Sequence, residues 1–511
     1  MSTTTPTEYR PRRRETWSGQ TAFLLAAIGS AVGLGNIWRF PGVAYANGGG
    51  AFLIPYLVAL VCVGIPVLLL DYALGHKFRG SPPAALRRLT PKAEFLGWFQ
   101  VMVCFVIFTY YAVVIAWAAR YAIYSVDMAW GEDPKTFFLA DFLQVTEATT
   151  YSTTPVASVM IPLVLLWLFV LIIMARGLTS GVELANKIFL PLLVVLFIAI
   201  VIRALFLPGA LDGLNAFFTP TWDSLADPKV WLAAFAQIFY SLSVAFGIML
   251  TYASYLKPKS NLTGTGLVAG FANSSFEILA GIGVFAALGF MAHQQSVPVA
   301  ELEGLTGPIL SFVTFPHIIS MMPGGPIFGV LFFTSLVLAG VTSLLSLLQV
   351  VSGGLQDKFG YSPIKASFIM GIPAMLVSVV LFGTQSGLNA LDVVDNFINT
   401  IGVVVCAIAL TVVSAVAGKR LKSLRAHLNK VSSMPVPFIW DILVGLVVPA
   451  VLSFMLITAV IELLQVPYGG YDPSYIAILG WGCVILALVG AAVLTALPWK
   501  KNASEKEGVQ A

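Results

Sequence analysis

Charge-free apolar stretches long enough to cross about 30 Å of hydrocarbon recur along this chain, at Ala51 to Leu70, Phe95 to Ala119, Ala157 to Met174 and Val230 to Leu256 among others. Buried in lipid, a backbone must bond its own N–H and C=O groups within the segment, so each stretch is predicted to be a helix. With allowance for an embedded charge, spans are expected near 19–42, 51–75, 95–125, 157–175, 188–207, 230–256, 264–291, 326–356, 365–382, 396–417, 437–464 and 475–497. Composition agrees, because 58% hydrophobic and 10% charged residues over 511 lie far outside soluble usage. The fold class is therefore all-α and integral to the membrane, with twelve spanning helices.

An even number of spans places both termini on one face, and Lys and Arg indicate which, since cytoplasmic loops carry the positive excess. By alternation, 23 of the 28 Lys and Arg residues fall on the terminal side. The expectation is a multi-pass protein of the inner, or cytoplasmic, cell membrane with both termini in the cytoplasm. The net charge of +4 then serves orientation, and no nucleic-acid partner is needed to explain it. The first span follows Arg12 to Arg14 but runs on into Arg39 without a convincing cleavage site, so it reads as retained. Cys62, Cys104, Cys406 and Cys483 lie in apolar spans at no metal-like spacing and read as packing residues.

The expected organisation is an N-terminal tail over 1–16, one transmembrane domain over 17–498 and a C-terminal tail over 499–511. Loops near 126–156 and 292–325 are the longest breaks, and the second is expected to fold into short helices. Two spans are interrupted by small residues at matching places, Gly29-Ser30-Ala31-Val32-Gly33-Leu34-Gly35-Asn36 in the first and Ser241-Leu242-Ser243-Val244-Ala245-Phe246-Gly247 in the sixth. Paired interruptions five spans apart suggest inverted repeats, about 17–207 and 228–417, with spans 11 and 12 added. Unwound backbone survives at membrane depth only beside a cavity, a ligand or an ion. Its carbonyls, with Asn and Ser oxygens, suit a hard cation. The N–H groups at a half-helix start suit a carboxylate.

The residues Gly33-Leu34-Gly35-Asn36-Ile37-Trp38-Arg39-Phe40-Pro41, then Asn47-Gly48-Gly49-Gly50-Ala51-Phe52, resemble the signature of the neurotransmitter:sodium symporter family, in its bacterial amino-acid transporter branch. The likeness continues through Gln237 to Ser243, Thr251 to Tyr255, Ala339 to Ser343 and Thr400 to Gly402. It implies one or two sodium ions and no organic cofactor. The first sodium site would use the carbonyl of Ala31, the side chains of Asn36, Asn273 and Ser241, and the substrate carboxylate. The second would use carbonyls of Gly29, Val32 and Ala339 with the hydroxyls of Thr342 and Ser343.

By the same resemblance the substrate would lie against Ala31, Gly33, Leu34 and Gly35. Tyr111 would bond its carboxylate, and Ile107, Tyr240, Ser243, Phe246 and Leu347 would surround its side chain, near Ser241 and Ser343. Relatives that carry monoamines place an Asp in the stretch around Gly33, and this chain has no acid there. A charged substrate side chain would be buried unpaired, so a neutral, apolar amino acid is expected. Two departures bear on pocket volume: Ala245 stands where many relatives have Gly, and Ser30 where the branch can have Asn.

Arg39 and Asp395 match the family's outer gate pair, and Arg14 with Asp357 its inner gate, where Trp17 would act as a plug. Glu277 lies four residues after Asn273, on the same helix face. Chloride-dependent relatives have Ser at that position, so a fixed carboxylate predicts independence from chloride, with Glu277 protonating when the carrier returns empty. The expected mechanism is sodium-coupled import by alternating access, with a non-transporting amino-acid sensor of the same fold as the alternative. An enzyme is not expected, since His76, His293, His317 and His427 are scattered and no nucleophile or metal set accompanies them. The partners are the amino acid and the lipid bilayer; a homodimer or an accessory subunit is left open.

Overall fold

The computed structural model describes residues 15–147, 150–305, 307–416 and 420–500. Among them, regular structure is helical apart from two isolated bridges, Gly49 to Pro220 and Pro155 to Thr384. Ten continuous helices are long and apolar enough to span: Gly50–Phe78 (span 2), Pro91–Tyr124 (span 3), Ala157–Ala175 (span 4), Leu178–Leu205 (span 5), Leu262–Gln295 (span 7), Gly325–Phe359 (span 8), Pro363–Phe382 (span 9), Gly387–Val416 (span 10), Ile439–Gly470 (span 11) and Pro473–Ala496 (span 12). Span 1 is broken into Gln20–Ala31 and Leu34–Ala46, bent by 51°. Span 6 is broken into Pro228–Ser241 and Ile248–Ser254. Counting each broken pair once gives twelve spans.

Lipid exposure sorts these helices into layers. In spans 3, 7 and 8 the most apolar windows are 83%, 78% and 72% buried, against 22% in span 11. Span 3 lies along span 8 at the centre of the bundle. Outer spans turn one apolar face to lipid; in span 4 the exposed residues Ile161, Leu165, Leu168 and Ile172 share a helical stripe. Two helices begin earlier than hydropathy predicts. Span 5 starts at Leu178 rather than 188, and span 10 at Gly387 rather than 396. Their first turns carry Glu183, Asn186, Asp392 and Asp395, which lower mean hydropathy yet bond within the protein instead of meeting lipid.

Three π-helical turns, two in spans and one in the helix of the loop over 292–325, share a cause. Leu60–Gly64, Leu310–Thr314 and Leu443–Val447 each end two residues before a proline, namely Pro66, Pro316 and Pro449. A proline lacks the N–H and its ring collides with the carbonyl four residues back. Widening that turn relieves the collision while the remaining carbonyls stay bonded.

The loop over 292–325 contains the expected short helix, Gly307–Met321. At the opposite end of the bundle, where both described termini lie, buried Lys358 joins Glu94 at 2.7 Å. Trp499 also donates to Glu94, at 2.8 Å. This clasp ties span 12 to spans 3 and 8.

Candidate functional site

Both breaks occur where the sequence places them, and they face one another. In span 1 the helix runs to Ala31, and the Gly33 amide then donates to Asn36 Oδ1 at 2.9 Å instead of reaching back to Gly29. Leu34 N–H donates to the Tyr111 hydroxyl oxygen at 3.4 Å. In span 6, Ser243 (φ 53), Ala245 (φ 67) and Gly247 (φ 101) all take left-handed backbone. For the two residues with a Cβ this costs about 1–2 kcal/mol each, so the surroundings must hold the chain there.

That hold comes from spans 2 and 3. Ala245 N–H donates to Asp71 Oδ2 at 2.7 Å, and Gln100 Nε2 donates to the Ala245 carbonyl at 2.5 Å. The Cys104 thiol donates to the Phe246 carbonyl at 3.2 Å. Neither Asp71 nor Gln100 is among the site residues expected from the sequence. A lone acid in an apolar span was the available signal; its partner lies 174 residues away and only the fold brings it close.

Between the breaks the bundle is not fully closed. Ala31, Ile107, Ser243, Phe246, Ser343 and Leu347 keep 4–8% exposure deep in the bundle, whereas Phe23, Ala26 and Ala27, one to two turns along span 1, have none. Tyr111 and Tyr240 are partly exposed although both sit mid-span. Tyr240 lies against Gly35, where an added methyl would come within 2.6 Å of its ring. A methyl on Gly33 would approach Ser343 Oγ to 2.8 Å and the Tyr111 oxygen to 3.1 Å. Leu34 is 1% exposed and packs into the core. The structure brings Gly33, Tyr111 and Ser343 together and sets Tyr240 against Gly35, and no charged side chain is among the residues that the sequence nominated for substrate.

Polar groups flank this space on two sides. On one, Asn36 Nδ2 donates to Asn273 Oδ1 at 2.8 Å and Asn273 Nδ2 to Ser241 Oγ at 2.5 Å, joining spans 1, 7 and 6. Fully buried Glu277 lies next to them, accepting from the Tyr56 hydroxyl, from Gln237 Nε2 at 2.6 Å and from Ser241. On the other side, Thr342 donates to the carbonyls of Leu338 and Ala339 at 3.1 and 3.0 Å. With its hydrogen engaged, the oxygen keeps lone pairs to offer. Ser343 and Ser243 both donate to the Ser30 carbonyl, at 3.2 and 3.3 Å, and Ser30 Oγ donates to Ser346 at 2.8 Å. The lone pairs in both clusters belong to oxygen, which fits a hard cation.

The two ends of the bundle differ. At one, Arg39 stacks on Tyr240 with 4.6 Å from guanidinium carbon to ring centroid. Asp395 accepts from Asn399 at 2.9 Å and from Tyr110, so Arg39 and Asp395 both border Tyr240 without pairing directly. At the other end Trp17 is 1% exposed. Its indole donates to the Tyr252 carbonyl at 2.8 Å and its amide to the Tyr255 carbonyl at 3.1 Å. Asp357 accepts from the Ser81 amide at 2.7 Å; Arg14, its expected partner, lies outside the described residues. The segment around Trp17 is tied down by the Ser18 amide donating to Glu183 at 3.0 Å and by Glu15 accepting from Leu178 N–H at 2.8 Å.

A twelve-span bundle whose two broken helices meet around an oxygen-lined internal space has the architecture of a secondary membrane carrier. The profile of the Sodium:neurotransmitter symporter family matches residues 14–135 and 131–502, and the chain belongs to that family. It is 39% identical over 485 residues to an uncharacterised sodium-dependent transporter of Methanocaldococcus jannaschii, covering 94% of this chain and 97% of that one. It is 28% identical to the sodium- and chloride-dependent glycine transporter 2 of Xenopus laevis, over 92% of this chain and 67% of the relative. Among solved structures, MhsT in complex with L-phenylalanine superposes with a TM-score of 0.75 at 29% identity, covering 88% of this chain and all of that one. The protein is accordingly a sodium-dependent transporter of the membrane and not an enzyme.

Proposed function

We propose that this protein imports a neutral, apolar amino acid together with sodium by alternating access, without needing chloride. The observation that carries the substrate class is the lining of the internal space: Gly33 stands against Ser343 and Tyr111 with no acid at that position, and none of the residues assigned to the substrate carries charge. A zwitterion fits such a space when its carboxylate meets a cation and the Tyr111 hydroxyl, while its side chain rests on Ile107, Tyr240, Phe246 and Leu347. The relatives named for glycine and bound to L-phenylalanine support an amino acid as cargo.

In this reading Ala31, Asn36, Ser241 and Asn273 hold one sodium ion beside the substrate carboxylate. Gly29, Val32, Ala339, Thr342 and Ser343 hold a second. Glu277 supplies a fixed negative charge next to the first ion and takes up a proton when the carrier returns empty. Arg39, Tyr240 and Asp395 close the outer side, and Trp17 with Arg14 and Asp357 the cytoplasmic side. One transmembrane domain over 17–498, with both termini in the cytoplasm, carries all of these parts except Arg14, which belongs to the N-terminal tail.

Competition tests the substrate class. Uptake of a labelled neutral amino acid into proteoliposomes, challenged with each of the twenty amino acids, should be blocked by apolar ones and left intact by Asp, Glu, Lys and Arg. Stronger competition by a charged amino acid than by any apolar one would refute the neutral reading.

A further inference from the structure

Asn186 is fully buried in span 5, between spans 1 and 8. Its Nδ2 donates to the Val182 carbonyl at 2.9 Å, one turn back in its own helix. That bond fixes which way the amide points, because an exchanged amide would set two acceptors against each other. Its Oδ1 is buried and has no hydrogen-bond partner. A buried acceptor left unpaired is a standing cost that an apolar residue would not carry, and it calls for an explanation where lipid surrounds the bundle.

The oxygen points to the break in span 1. A methyl placed on Gly29 would lie 2.5 Å from Asn186 Oδ1 and 3.5 Å from Thr342 Cβ. Asn186 therefore reaches the point where the Gly29 backbone and Thr342 come together, from a third helix. The Gly33 amide that would otherwise bond the Gly29 carbonyl is turned to Asn36. Side chains from spans 5 and 8 thus adjoin the Gly29 backbone of span 1, and the Asn186 oxygen there has no hydrogen-bond partner.

We propose that Asn186 Oδ1 is an oxygen donor of the second cation site, supplied by span 5 in addition to the five groups assigned above. This rests on the reading of that site as a sodium site. A neutral amide oxygen adds to the ion's shell without adding charge, and it joins span 5 to the broken helix through the ion. The unpaired oxygen then has a partner whenever sodium is present.

Radiosodium binding to the purified full-length protein, measured without any amino acid, tests this directly. Asn186→Leu should raise the half-saturating sodium concentration about tenfold, the order of loss when a supporting group of a metal site is removed. Asn186→Asp should lower it, since the full charge a carboxylate brings beside the ion outweighs the loss of the Nδ2 bond to the Val182 carbonyl. Simple damage to the helix would raise it in both variants. A wild-type value in Asn186→Leu, or an unchanged or raised value in Asn186→Asp, overturns the proposal; if the Leu variant does not fold, the Asp variant decides alone. Thr342→Ala separates the two levels. Should it bind radiosodium as the wild type does, the second cation site itself is misassigned and the proposal falls with it. Should it lose binding while Asn186→Leu keeps the wild-type value, only the role of Asn186 is refuted.

Discussion

Replacing Glu277 by Ser should convert a carrier that works equally well with gluconate or chloride into one that works only with chloride. Glu277 is fully buried and bonded by Tyr56, Gln237 and Ser241, with Asn273 one turn away on the same face of span 7. A carboxylate in so little water is tolerable only if a positive charge stands close by. In the proposed arrangement the sodium ion held by Asn36, Asn273 and Ser241 supplies that charge. Removing the carboxylate leaves the ion without its counter-charge, and truncating one member of a buried charge pair costs about 2 kcal/mol or more, about a thirtyfold loss. The donors left behind, the Tyr56 hydroxyl and the Gln237 amide, face the vacated position and suit a small anion. Chloride-free uptake by Glu277→Ser should therefore fall about thirtyfold, and chloride should restore most of it. Uptake by the variant that ignores chloride would show that Glu277 does not balance the ion, and wild-type uptake that fails in gluconate would show the same.

The second large effect is expected at Gly33. An Asp there would press its Cβ to 2.8 Å from Ser343 Oγ and 3.1 Å from the Tyr111 oxygen, so both neighbours must move. Its charge would then face the carboxylate of the amino acid across the same small space. Burying a charge without a partner costs about 3–5 kcal/mol, so amino-acid uptake should fall by at least about a hundredfold. Gly33→Ala isolates the steric part and should lose less. Equal losses in Gly33→Ala and Gly33→Asp would mean that crowding alone matters and that charge does not select the substrate.

The spans were legible in the sequence because lipid leaves a backbone one economical choice, and apolar length reports it directly. Their starts were less so. Glu183 bonds Ser18 and Lys187, and Asp392 takes two tyrosine hydroxyls, so these acids are sequestered rather than turned to lipid. Hydropathy counts the charge and misses the partner. The breaks in spans 1 and 6 were legible from their small residues, and the polar groups on the helices around them came from a family likeness. What holds the breaks open was not. Asp71 and Gln100 grip Ala245 across 174 and 145 residues, and nothing local in either helix announces that contact. Asn186 was hidden for a similar reason, since its importance lies in an oxygen with no partner, visible only once every neighbour is placed. The expected pairing of Arg39 with Asp395 is not formed, because Arg39 stacks on Tyr240 and Asp395 accepts from Asn399 instead.

Sodium coupling is tested by proteoliposomes that contain this protein and no other. With sodium high outside and absent inside, a labelled neutral amino acid should accumulate above its external concentration and then leak back as the gradient runs down. With potassium replacing sodium on both sides, no accumulation should occur. Accumulation of none of the twenty amino acids under the sodium gradient, or equal accumulation without it, would contradict the account.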